Sequence, residues 1–573
     1  MTASAELSAT SSVAQTPRRR RPGRRRSATV GALLLALLGL GAASVIHLEI
    51  NFATVVHGYA NAIGFIDRIW PPELPSGEEV VQQTGFTLAT TLLATLLSVA
   101  ISFPLAVWAA ANTTRGTGFR LGSRGVIVAA RAVPDIVLAI LFVRLFGLGV
   151  VPGILAMGLH SVGMVGKLYA DALEQVSDKP REALRSIGAS RGQQLSTAIL
   201  PQALPAFIAI GLHRFDINLR HSALLGFVGV TGIGFEMSKA FGALQFGLGI
   251  VWAVILLLLC LLSELLSAVV RRSLMRMTTS AEQRALRRLP ALLRRRSFYA
   301  PAPVQLSTLP TADRPIFPAW SFDRARRIVY AAIAVAVVLW SLLRSGALDL
   351  SLSGGLRGFL TTLGLFWPPG TAGVAPDLLR ALFVTLEIGL ASMLIGALLA
   401  IPLGSLAARN VSGHRMIHTT FRGIVLLVRG IPELVLAILF VVIIGLGPVA
   451  GALALAIGSI GLLGKLVADS LEEVDHGPLE ALNAVGASRT QIYFTAILPQ
   501  AARAIIGATL YQLDVNIRYA TLLGLVGGGG VGFYLLQASH TREYEVITWI
   551  VLAIFAVVFA LEIFAMTIRR LLA

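Results

Sequence analysis

Long apolar runs alternate with short polar breaks along most of the chain, and the alternation occurs twice. The first series lies near residues 31–47, 86–111, 125–146, 154–169, 200–225 and 248–270. The second lies near 328–343, 381–408, 423–444, 447–467, 496–518 and 546–568. Most of these runs approach or exceed the ~18–20 apolar residues that cross a bilayer as a helix. The pattern predicts an all-α polytopic membrane protein built as two repeats of about six transmembrane helices. An even number of spans per repeat returns each half to the side it started from, so the repeats are parallel rather than inverted.

One polar insert interrupts both series at the same place. Glu182–Pro201 reads EALRSIGASRGQQLSTAILP and Glu480–Pro499 reads EALNAVGASRTQIYFTAILP, 298 residues later. At that offset the stretches 87–234 and 385–532 align without a gap. Apolar positions at Leu173, Val176, Leu184, Ile187 and Leu195 recur at near-helical spacing, with Gly188 at the break. The spacing predicts two short helices joined at a glycine, which can adopt a positive φ. A solvated loop would not need two near-identical copies, so the insert reads as one docking contact made twice.

Composition supports the membrane reading. Charged residues make up 14% of the chain, where soluble proteins carry about 25%. Cys260 is the sole cysteine, which excludes an intrachain disulfide and a cysteine metal site, and its apolar surroundings point to helix packing. The formal charge of +18 would suggest nucleic acid in a soluble chain. Here it concentrates in the tail Arg18–Arg26, in the linker Arg271–Arg327 and in short loops, as expected of segments retained on the inner side. Residues 49–83 are short of basic residues and suit the outer side. The expected organisation is a disordered basic cytoplasmic tail (1–27), a first half (28–270), a cytoplasmic Arg/Pro-rich linker (271–326) with an amphipathic helix near 281–293, and a second half (327–573). Both termini then lie in the cytoplasm. The first apolar run resembles a signal-peptide core, but its length and its counterpart at 328–343 favour a retained helix.

Ionisable residues inside spans are costly and mark candidate functional positions. The fifth span carries Asp216, Asn218 and Arg220, and the eleventh carries Asp514, Asn516 and Arg518. Each Asp–Arg pair is spaced i,i+4 and can close on itself as a structural ion pair. The alternative is a polar strip lining an anion path, with arginine supplying forked hydrogen bonds. Arg131 and Arg429 each precede a helix-bending proline by three and either line the same path or snorkel to an interface. The glycine-rich stretches 226–234 and 524–532 suit close packing, a flexible outer gate around Gly229, Gly232, Gly527 and Gly530, or a nest of backbone N–H groups.

The polar insert resembles the EAA motif of ABC-importer permeases: Glu182-Ala183-Leu184, Gly188 and Leu200-Pro201, then Glu480-Ala481-Leu482, Gly486 and Leu498-Pro499. Two apolar exchanges depart from the usual motif: Leu184 and Leu482 replace alanine, and Ala198 and Ala496 replace isoleucine. Arg131…Pro134-Asp135 with Arg429…Pro432-Glu433, Gly166-Lys167 with Gly464-Lys465, and Asn218-Leu-Arg220 with Asn516-Ile-Arg518 are similar to the phosphonate/phosphate (PhnE-like) permease family. The resemblance implies a type I importer fold with two permease halves fused in one chain. It also implies coupling of Glu182, Ala183, Gly188, Glu480, Ala481 and Gly486 to a separate ABC ATPase in two copies. A path would run past Arg131, Asn218, Arg220, Arg429, Asn516 and Arg518, fed by an extracytoplasmic binding protein. The implied location is the cell membrane, and the implied cargo is a phosphate or phosphonate anion.

No cofactor is expected in this chain; ATP and Mg²⁺ belong to the partner ATPase. Ser161–Leu168 resembles a phosphate-binding P-loop superficially, but Ser161 and Leu168 stand where glycine and Ser/Thr are needed. A twelve-helix secondary transporter is the alternative, although it has no use for two docking loops. No duplicated metal-spaced cluster suggests an enzyme.

Overall fold

The computed structural model describes residues 24–51, 53, 61, 63–65, 67, 69–287, 322–346 and 355–572. Most of the expected basic tail and linker lie outside them. The first half contains α1 (Arg24–His47), α2 (Gly77–Ala109), α3 (Thr117–Ala132), α4 (Asp135–Phe146), α5 (Val150–Glu174), α6 (Lys179–Ser186), α7 (Arg191–Gln194), α8 (Leu200–Gly226), α9 (Ile233–Gly242) and α10 (Phe246–Arg287). The second half contains α11 (Phe322–Ser345), α12 (Gly355–Gly364), α13 (Ala375–Ala407), α14 (Arg415–Gly430), α15 (Glu433–Ile444), α16 (Pro448–Glu472), α17 (His476–Ala484), α18 (Arg489–Ile492), α19 (Leu498–Leu523), α20 (Val531–Thr541) and α21 (Tyr544–Leu572).

Among the described residues nine helices are long and apolar enough to cross a membrane, and three bent pairs bring the total to twelve. The spans expected at 125–146 and 423–444 are not straight. Thr117–Arg131 and Asp135–Phe146 meet at 83°, and the corresponding pair, Arg415–Gly430 and Glu433–Ile444, meets at 86°. The cause is local. Val133 and Ile431 are extended, the backbone that a following proline favours. Pro134 and Pro432 then precede the new helices. A third bend, of 51°, falls at the second glycine-rich stretch. The helix expected to end near Val270 continues to Arg287, so the start of the expected linker is helical.

Small residues let the long helices approach closely, the usual device where lipid offers no hydrophobic drive to association. A Cβ on Gly163 of α5 would lie 2.6 Å from the Arg131 amide nitrogen, and one on Gly461 of α16 would lie 2.6 Å from Arg429 Cα. Both glycines therefore set how deeply the two arginine-bearing corners seat. Replacing Gly163 or Gly461 by valine is expected to cost about 1–3 kcal/mol by overpacking. The readout is a thermal-unfolding midpoint lowered by several degrees in detergent.

Each half lends its first helix to the other. Gly41 of α1 lies against α13, where a Cβ would be 3.1 Å from Leu394 Cβ. His47 Nδ1 is 2.9 Å from Glu387 Oε1. Reciprocally, Trp340 of α11 covers Gly85 of α2, and the Arg344 guanidinium lies 5.5 Å from the Phe86 ring centre. The largest apolar cluster spans both halves, joining Ile136, Leu219 and Leu256 to Leu434, Leu523 and Ile550. The halves thus share one core, with a smaller cluster in each beneath its polar insert.

Candidate functional site

The α3–α4 and α14–α15 bends, together with α5, α8, α16 and α19, enclose a cavity of about 400 Å³ between the two halves. Arg131, Arg220, Arg429 and Arg518 all line it, joined by Lys167 and Arg214. Against these six cations the lining carries two carboxylates, Asp135 and Glu433. The corners at Pro134 and Pro432 place an arginine and a carboxylate beside the cavity from each half.

The arginines are held unequally. Arg220 Nη2 lies 3.5 Å from Glu264 Oε2, and Arg429 Nη1 of the other half lies 3.0 Å from Glu264 Oε1. Glu264 on α10 therefore joins the halves through one carboxylate. Arg518 instead pairs with Asp514 on its own helix. The i,i+4 pair expected from spacing forms in the second half, whereas Asp216 accepts hydrogen bonds from Ser263 and from Ser267 (3.1 Å) on α10. Among the described residues Arg131 and Lys167 make no ion pair.

Asn218 and Asn516 lie behind the cavity wall. Asn218 Nδ2 donates to Thr95 Oγ1 at 3.0 Å, and its Oδ1 accepts from Ser161 Oγ at 3.1 Å. Asn516 Nδ2 donates to Ser392 Oγ at 2.9 Å and to Ser459 Oγ at 3.2 Å. With 0% and 1% of their surface exposed, both tie three helices together rather than face the void.

The two polar inserts are built alike. At the end of α6 the Gly188 N–H donates to the Arg185 carbonyl at 3.1 Å, and the Ala189 N–H to the Leu184 carbonyl at 3.0 Å. Gly486 and Ala487 repeat both bonds with Asn483 and Leu482 at 3.0 Å each. This is a Schellman ending, which needs the left-handed backbone seen at Gly188 (φ 82°) and Gly486 (φ 78°). Ser190 and Ser488 then cap the next short helix in complete capping boxes. A π-helical turn follows in each half, at Leu195–Ile199 and Tyr493–Ile497, immediately before Leu-Pro.

Glu182, Ala183, Glu480 and Ala481 are exposed. The two glutamates make no ion pair or side-chain hydrogen bond among the described residues. Ile187 and Val485, beside the glycines, are 79% and 78% exposed. Helical spacing alone assigns these two positions to packing, whereas the structure leaves an apolar side chain exposed at the same point of both loops. The base of each loop is pinned, by Arg124–Glu174 in one half and Arg422–Glu472 in the other.

The glycine-rich stretches are packed turns bonded to the loops beside them. Gly149 N–H donates to the Gly229 carbonyl at 3.2 Å and Gly447 N–H to the Gly527 carbonyl at 2.8 Å. Thr87 and Thr385 hydroxyls, next to Gly232 and Gly530, accept from the N–H of Ile233 and Val531 at 2.9 Å each. The backbone donors of these two bonds are satisfied by threonine, so they are not turned toward a ligand.

Sequence reasoning passed over His160, His213, Arg214, His221 and Glu264. The available signal was the comparison of halves: at the 298-residue offset His160, His213, Arg214 and His221 face Gly458, Tyr511, Gln512 and Tyr519.

Residues 102–276 and 400–573 each match the family described as binding-protein-dependent transport system inner membrane component. The chain is 39% identical over 515 residues, 89% of its length and 88% of the relative's, to the phosphate-import permease protein PhnE of Mycolicibacterium smegmatis. It is 33% identical over 43% of its length, and 89% of the relative's, to the phosphite transport system permease protein PtxC of Stutzerimonas stutzeri. A probable D-methionine transport system permease protein, MetI of Haemophilus influenzae, is 28% identical over 30% of this chain and 84% of its own. Two matching segments at one offset, a full-length relative and a cavity shared by both repeats together place this chain in the family of binding-protein-dependent ABC-importer permeases, with two permease halves fused in one polypeptide.

Proposed function

We propose that this permease forms the translocation path for a phosphorus oxyanion, phosphate or phosphonate, entering the cell on ATP hydrolysis by a separate ATPase. The observation that carries the reading is the cavity between the halves, where six cations face two carboxylates. Three of these cations, Arg131, Lys167 and Arg214, make no ion pair among the described residues; such charge is costly in a low-dielectric span, and a passing multivalent anion offsets that cost. Arginine suits the task because its planar fork matches two oxygens of a tetrahedral anion. Glu264 and Asp514 draw on part of the positive field, so the anion meets a well shallow enough to leave.

On this reading the two polar inserts lie on the cytoplasmic side and dock one ATPase each, with Ile187 and Val485 as apolar knobs. Both termini share that side, in agreement with the basic tail and linker. The glycine-rich turns around Gly229, Gly232, Gly527 and Gly530 lie at the opposite side, where a substrate-binding protein delivers the anion. We read them as an outer gate, and their hydrogen bonds to Gly149 and Gly447 would couple its movement to those turns. ATP and Mg²⁺ bind the ATPase, not this chain.

Uptake of radiolabelled phosphate in cells lacking their other phosphate routes tests the assignment. Expression with the cognate ATPase and binding protein should restore uptake, and excess methylphosphonate or phosphite should reduce it severalfold while sulfate has little effect. Absence of uptake and of competition by any phosphorus oxyanion would refute the substrate class.

A further inference from the structure

The cavity is not two-fold symmetric in its chemistry, although its backbone is. The wall from the first half carries His160, His213, Arg214 and His221, and the matching wall carries Gly458, Tyr511 and Tyr519. Gln512, at the place of Arg214, is turned away into hydrogen bonds with Ser459 Oγ (3.1 Å) and Asn516 Oδ1 (2.7 Å). We propose that the transported anion is bound on the first-half wall, with Arg214 as its principal contact, and that the second-half wall is the weaker partner. This rests on the phosphorus-oxyanion reading above and names the residues that would execute it.

Arg214 is built as a receptor group. It is 3% exposed, lines the cavity and makes no ion pair among the described residues. Its Nε donates to Ser161 Oγ at 2.6 Å and its Nη1 to Met164 Sδ at 3.4 Å. Its Nη2 has no hydrogen-bond partner among the described residues. A buried donor left unmade is costly, the more so on a charged group, and a phosphate oxygen in the cavity would satisfy donor and charge together. Ser161 is itself fixed by Asn218, which Thr95 anchors. Asn218 therefore acts as a positioning residue for Arg214 rather than as a contact.

The neighbouring side chains support the same wall. His221 is clamped between Asp135 Oδ2 at 2.5 Å and Tyr519 Oη at 3.1 Å. That leaves Asp135 engaged with a partner of its own, and not paired with Arg214. His160 Nδ1 bonds the Val133 carbonyl at 2.9 Å, so its Nε2 edge remains for the cavity and can accept from a P–OH group. In the second half Tyr519 replaces the histidine, and Glu433 makes no ion pair among the described residues. A negative charge on that wall repels a dianion and biases it toward Arg214. Fusing the halves makes this possible. A homodimer would present Arg214 twice and bind the anion more firmly on both sides, whereas one gripping wall and one weak wall leave a site that can release.

The test uses radiolabelled phosphate uptake by the full importer, with membrane accumulation measured by immunoblot. Arg214→Gln copies the residue of the opposite half, so the fold already accommodates that side chain at the equivalent place. It should raise KM for phosphate at least tenfold with accumulation and maximal rate near wild type, and Arg214→Lys should fall between. Arg518→Gln on the other wall should raise KM less than threefold. Equal shifts for Arg214→Gln and Arg518→Gln, or an unshifted Arg214→Gln, overturn the asymmetry. If Arg214→Gln fails to accumulate, the double change His160→Gly with His213→Tyr takes its place. A KM raised at least threefold supports the first-half wall, and an unchanged one overturns it. A wild-type protein that imports no phosphorus oxyanion removes both this inference and the proposed function. A wild type that does, with symmetric variants, removes the asymmetry alone.

Discussion

Replacing both Gly188 and Gly486 by valine is expected to abolish copurification of the ATPase while the permease still accumulates in the membrane. Both glycines have left-handed backbones, and nothing lies within 4 Å of a Cβ built on either. Steric crowding is therefore not the cause; the conformation is. A non-glycine residue there costs roughly 1–2 kcal/mol, more when β-branched. The chain can relieve this only by unwinding the Schellman ending. That would reorient Ile187 and Val485, the exposed apolar tips on which docking is proposed to rest. The two loops lie in separate halves, so the losses should add, and a single Gly→Val should leave partial binding. Ile187→Asp with Val485→Asp gives an independent check, because it keeps the backbone and removes the apolar contact. Copurification equal to wild type in both double variants, with transport intact, would end the docking assignment.

The long spans were legible because an unbroken apolar run has few other uses at this length. Their partners were not: nothing in the periodicity of α1 says that it packs on α13 of the other half rather than on α2. The corners at Pro134 and Pro432 were half legible. A proline inside an apolar run signals a bend, but a bend of 83° depends on Gly163 admitting the Arg131 backbone, a tertiary contact. For the site, Arg131, Arg220, Arg429 and Arg518 stood out because charge within a span is costly, and all four line the cavity. Asn218 and Asn516 stood out as polar side chains in the same spans yet hold helices together, since an amide can be satisfied by hydroxyls from two neighbours. Arg214 is not legible from the duplication, because Gln512 stands at its place in the second half; the signal lies in the difference between the halves.

Arg220→Gln with Arg518→Gln should lower transport at least tenfold while membrane accumulation and ATPase binding remain. At an effective dielectric of about 20, a unit charge 4 Å from an anion contributes on the order of 4 kcal/mol. Losing two such charges from one cavity should weaken the path well beyond the loss of either alone, and single variants should be milder. The risk is that a neutral side chain strands a buried carboxylate, which is strongly destabilising. The two sites differ in which carboxylate that is. Arg518 neutralises Asp514 on its own helix, so Asp514→Asn is the compensating change there. Arg220 faces Glu264, not Asp216, and Glu264 also holds Arg429 from the opposite half at 3.0 Å. Glu264→Gln is thus the compensating change for Arg220, and it removes the ion pair to Arg429 as well. If the arginine double variant fails to accumulate and the quadruple variant with Glu264→Gln and Asp514→Asn restores both accumulation and transport, the arginines are structural counter-ions and the pathway role falls. If accumulation returns without transport, the charge itself is what the anion needs.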